Sequence, residues 1–130
     1  RDSSLKIKRF EVAEKARKVA DLQSMIRDFE DMAADLARQI HSEEERTGVK
    51  DPAHFAYSTF AKSATARRDK LVTSVDGLKA QLDDAQAAHQ TAVEELRTIE
   101  TAQDTREDRN PGRIAKQDKA APMQVTRPLI

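Results

Sequence analysis

The 130 residues contain no cysteine and no tryptophan, and only three Gly, four Pro, four Phe and one Tyr. Without cysteine there is no disulfide framework and no thiolate metal site. A reducing cytoplasm is compatible with that absence. Charged residues make up 35% of the chain and aromatics 4%, so large apolar surface is too scarce for a thick globular core. No apolar run approaches the roughly 18–20 residues that span a bilayer. The opening RDSSLKIKRF lacks the apolar segment of a signal peptide. It also does not begin with Met, and a few preceding residues are expected. Formal net charge is zero, and no glycine-rich phosphate loop is present.

The chain is instead rich in Ala, Glu, Lys, Leu and Arg at helical spacing. In residues 5–40 the apolar positions alternate in steps of three and four. Leu5, Val12, Val19, Ile26, Ala33 and Ile40 occupy the a positions of a heptad, and Lys8, Lys15, Leu22, Phe29, Leu36 and Glu43 the d positions. So narrow a stripe is a coiled-coil seam. Ser3 or Ser4 can cap its start, and Gly48 suits the left-handed position after its end.

A second seam places Ala61, Arg68, Val75, Leu82, His89 and Leu96 at a. Tyr57, Ala64, Leu71, Leu78, Ala85, Ala92 and Ile99 fall at d. Asp51-Pro52 is a helix-start signal, with Asp as cap and Pro in the first turn. Asn110-Pro111-Gly112 is a stop. Gly77 is the weak point between them.

Antiparallel coiled coils set a residues opposite d residues. Ile26 with Leu78, Val19 with Ala85, Val12 with Ala92, Leu5 with Ile99 and Leu22 with Leu82 are all pairs whose numbers total 104. The fold point is then residue 52. Charge supports the same register. Residues 1–20 carry +4, 21–47 carry −5, 48–80 carry +3 and 81–110 carry −5. Doubling back at Pro52 faces each basic block with an acidic one, whereas a parallel homodimer would face like with like. The spacing predicts an all-α protein, a long two-helix antiparallel coiled-coil hairpin over residues 1–110. Its helices cover about 3–47 and about 52–109, joined by a turn at 48–51. Residues 111–130, with three prolines and net +3, are expected to form a disordered basic tail.

LKIKRFEVAEKARKVADLQSMIRDFEDMAADL, followed by DPAHFAYSTFAKSATARRDKL between and into the helices, resembles the flagellar export FliJ family in its alphaproteobacterial branch. The likeness covers residues 5 to about 100, and DPAHFAY is its most specific part. It implies a cytoplasmic, non-enzymatic component of the flagellar type III export apparatus, peripheral to the inner membrane through its partners. Its expected partners are the hexameric export ATPase, the cytoplasmic domain of the export gate, and export chaperones that it escorts. The family's coiled coil enters the ATPase pore with the end that carries both termini.

On this chain that end presents Ile7 and Phe10 at outward c and f positions, framed by Lys6, Arg9 and Arg17, a docking surface for the ATPase. The plain alternative is scattered surface apolars with a snorkelling Lys8. Near the turn, Tyr57, Phe60 and Arg67 are a weaker candidate contact with the gate. The plain reading is that Tyr57 and Phe60 plug the hairpin end. Arg68, at the seam, is expected to reach Asp35 or Asp31. His41, His54 and His89 are dispersed, so no metal or cofactor is expected. Zero net charge without interleaved aromatics argues against nucleic acid. A monomer is expected. The competing reading is a generic scaffold or adaptor, a homodimeric four-helix bundle in which Met25, Met32, Val72 and Val93 widen the apolar stripe.

Overall fold

The computed structural model describes residues 2–108, apart from the Asp2 side chain. It consists of two α-helices, α1 (Asp2–Thr47) and α2 (Thr59–Asp108), with no strand among the described residues. The tail expected at 111–130 and the stop at 110–112 lie outside them. Among the described residues no helix is long and apolar enough to cross a membrane. The chain divides into two compact units. Among the described residues one comprises 2–12 and 90–108, the other Ala13–His89. Each helix contributes to both.

In the Ala13–His89 unit the helices run antiparallel and bury two clusters. Leu22, Ile26, Val75, Leu78 and Ala85 form one, with Val19, Phe29 and Leu82 packed against it. Leu36, Ile40, Tyr57, Ala61 and Ala64 form the other, joined by Val49 and Leu71. In the other unit Ala92 is buried, and Leu5, Val12, Leu96 and Ile99 are half-buried. Every predicted seam residue is buried or half-buried, and among the described residues no buried one is polar or charged. The least exposed residues are alanines, with Ala61 at 0%. The core is one seam thick, so only small side chains at the interface are wholly enclosed. Covering a Leu or Ile there contributes about 1.5–3 kcal/mol.

Helix α1 starts before both predicted caps, so Ser3 and Ser4 lie within it. It ends as the glycine signal predicts. Gly48 takes φ +75°, and its N–H donates to the Glu44 carbonyl at 2.9 Å. This closes the left-handed cap that Gly reaches without steric cost.

The start of α2 corrects the sequence reading. Helix does not resume at Pro52 but at Thr59, so the connection runs from 48 to 58. Asp51 does accept a backbone hydrogen bond, from Ala53 N–H at 2.9 Å. It serves a turn, however, and His54 N–H donates back to the Asp51 carbonyl at 3.0 Å. A second turn follows, with Tyr57 N–H donating to the His54 carbonyl at 3.0 Å. The working helix cap is Ser58, whose Oγ accepts from Ala61 N–H at 3.1 Å.

Candidate interaction surfaces

The first surface belongs to the unit that holds residues 2–12 and 90–108. The seam residues Leu5, Lys8 and Val12 fix the rotation of α1. Ile7 and Phe10, one helical turn apart, therefore face outward and are 68% and 67% exposed. Lys8 is not a defect in the seam. Its ammonium donates to Glu11 at 2.8 Å and to Glu95 at 2.7 Å. Those two hydrogen bonds, Glu11's first, raise its pKa above the usual lysine value. Arg9 faces Glu100 at 3.4 Å and Lys6 is exposed. Lys6, Ile7, Arg9 and Phe10 thus lie within five consecutive residues of one described helix segment, little more than one turn. Arg17 belongs to the other unit, where it faces Glu14 at 3.7 Å.

The second surface surrounds the α1–α2 connection. Two adjacent acids of α1 hold it. Glu44 Oε2 accepts from the Tyr57 hydroxyl at 2.6 Å. Glu43 accepts twice from Arg46, at 3.0 and 2.9 Å, and once from the Ser58 hydroxyl at 2.6 Å. Ser58 therefore accepts at the start of α2 and donates to α1 with the same oxygen atom. The Arg46 guanidinium, with the Ser58 hydroxyl second, lowers the Glu43 carboxyl to about 2. The bond to Glu44, reinforced by burial, raises the Tyr57 phenol.

These contacts sort the residues expected at the turn. Tyr57 is buried and is a core residue, with no face left for a partner. Phe60 is half exposed beside Gln39, Ser42 and Arg46, and so does not plug the core. Arg67 is exposed. Arg68 pairs with its neighbour Asp69 at 3.2 Å rather than crossing to Asp35, which instead pairs with Arg38. His89 is half-buried at its seam position. Among the described residues no cluster of His, Asp or Glu could hold a metal ion.

Sequence reasoning missed the residue that stands out most. Phe55 is 96% exposed and stacks on His54 with ring centroids 4.7 Å apart. No periodicity singles it out, because period-two alternation would set Phe55 on the same side as the inward Tyr57. No protein-family model, curated protein or solved structure matches the chain.

Proposed function

We propose that the chain is a non-enzymatic component of the flagellar type III export apparatus. In this reading it is a monomeric, stalk-like coiled coil. It binds the hexameric export ATPase through Lys6, Ile7, Arg9 and Phe10, contacts the export gate from the α1–α2 connection, and escorts export chaperones. It would work at the cytoplasmic side of the inner membrane, held there by its partners alone. The family resemblance of residues 5 to about 100 motivates this reading. One observation carries it: an apolar pair, Ile7 and Phe10, stands in solvent on a helix whose other large apolar side chains in that segment serve the seam. Covering such a pair contributes about 1.5–3 kcal/mol per side chain. Neighbouring Lys6 and Arg9 add orientation and a faster encounter with an acidic partner.

The test is ATP hydrolysis by the purified export ATPase hexamer, with and without the chain. The wild-type chain should raise the rate. Ile7→Ala with Phe10→Ala should abolish most of that rise while circular dichroism stays unchanged, because neither residue contributes to the seam. Full stimulation by the double variant would remove this surface from the proposal. No stimulation by the wild type would remove the functional reading itself. A second reading, the homodimeric four-helix bundle, draws on Met25, Met32 and Val72, which are nearly half exposed beside the seam.

A further inference from the structure

Three of the five aromatic residues, Phe10, Phe55 and Phe60, stand at the surface, while Tyr57 is buried and Phe29 packs against a core otherwise built from aliphatic residues and alanine. Rings supply the largest contact area per immobilised bond, and interfaces concentrate them for that reason. Phe55 is the extreme case at 96% exposure. It does not dangle. The turn around it is closed by His54 N–H to the Asp51 carbonyl, Ala53 N–H to Asp51 Oδ1, Ala56 N–H to His54 Nδ1, and Tyr57 N–H to the His54 carbonyl, all at 2.9–3.0 Å. Buried Tyr57, bonded to Glu44, pins the turn to α1. Stacked His54 supports one face of the Phe55 ring. The backbone that carries the ring is thus already ordered, which spares binding that part of the cost.

We propose that Phe55, backed by His54, is an anchor that inserts into a ring-sized apolar recess of a partner protein. The chemistry of the segment selects that occupant. Residues 52–56, Pro-Ala-His-Phe-Ala, are all exposed and carry no formal charge. The flanking cation Lys50 is taken by Glu45 at 2.8 Å. The flanking Asp51 carboxylate is engaged by Ala53 N–H. Nothing here attracts the phosphates of a nucleic acid or an anionic lipid surface. One ring with small apolar neighbours fits a recess rather than a flat face. His54 adds direction. Its Nδ1 accepts from Ala56 N–H, so the neutral imidazole carries its proton on Nε2. That N–H can donate to a carbonyl or carboxylate at the rim of the recess.

The choice of probe rests on the functional reading above. The full chain is titrated calorimetrically against two purified proteins, the cytoplasmic domain of the export gate and the export ATPase hexamer. Phe55→Ala should weaken binding to the gate domain at least ten-fold and leave stimulation of the ATPase unchanged. Ile7→Ala with Phe10→Ala should do the reverse. Gate binding by Phe55→Ala at wild-type strength would overturn the anchor. If the wild type binds neither probe, the functional reading falls, and the anchor is decided separately. A photo-crosslinking residue is then placed at 55, and at exposed Thr73 as control, in the intact protein in cells. A discrete adduct from 55 alone, with a protein that once purified binds Phe55→Ala at least ten-fold more weakly, supports the anchor. No discrete adduct, or Phe55-dependent binding to phosphatidylcholine–phosphatidylglycerol vesicles, overturns it.

Discussion

Glu43 accepts three hydrogen bonds from two residues, Arg46 in its own helix and Ser58 at the start of the next. Its carboxyl is lowered from 4.5 to about 2, so the folded chain favours the charged form. The contribution to stability is therefore complete above about pH 4.5 and is lost as pH falls towards 2. Glu43→Gln should lower the melting temperature at pH 7 and flatten its decline between those two pH values. Melting curves for both chains across that range check the outcome, and parallel acid limbs would show that Glu43 is not the titrating group. The heptad count already placed Glu43 at a seam position. It could not supply the partner, because Ser58 becomes available only when α2 starts at Thr59. Asp51-Pro52 is an equally good start signal in the sequence, and there the tertiary bond to Glu43 decides between the two.

The helices themselves follow from periodicity, and their boundaries follow from single residues. The two described glycines show the difference. Gly48 has a positive φ of 75°, and a Cβ added there would meet no atom within 4 Å. Gly77 lies in the interior of α2 with the same open space. Neither substitution clashes with a neighbour, so backbone preference alone sets the sign. Gly77→Ala should stabilise by about 1 kcal/mol, since Ala is the better helix former. Gly48→Ala should destabilise by about 1–2 kcal/mol, since an L side chain disfavours the left-handed region. Urea titration followed by circular dichroism measures both, and equal signs would contradict the backbone argument. Tyr57 makes a related point about register. Its seam spacing was legible, and it is buried although it precedes α2 and is not helical as the spacing implied. Burial is fixed by the need to cover an apolar ring, and the backbone around it is free to be turn rather than helix.

Pairing of the charge blocks was legible because it depends on register alone. Lys8 with Glu95 and Arg9 with Glu100 join the basic first block to the acidic last one. Lys79 with Glu30 joins the basic third block to the acidic second, in the other unit. Which rings remain in solvent was not legible at positions where local geometry decides, as at Phe55. The remaining whole-molecule question is how many chains associate. Met25, Met32 and Val72 sit beside a seam that already has its partner helix, and each is only about half exposed. Widening one seam into a four-helix core needs a broad stripe of apolar residues on each hairpin. The exposed positions around that seam also include Gln23, Arg27, Glu30 and Lys79, whose desolvation opposes close approach of a second copy. Sedimentation equilibrium should therefore give a single species at the chain mass of 14.6 kDa, and Met25→Gln with Met32→Gln and Val72→Thr should leave it unchanged. A dimer that the triple substitution dissociates would put the four-helix bundle in place of the stalk. Ile7→Ala with Phe10→Ala, which alters a different stretch of surface, should leave such a dimer intact, so the two readings separate in one set of runs.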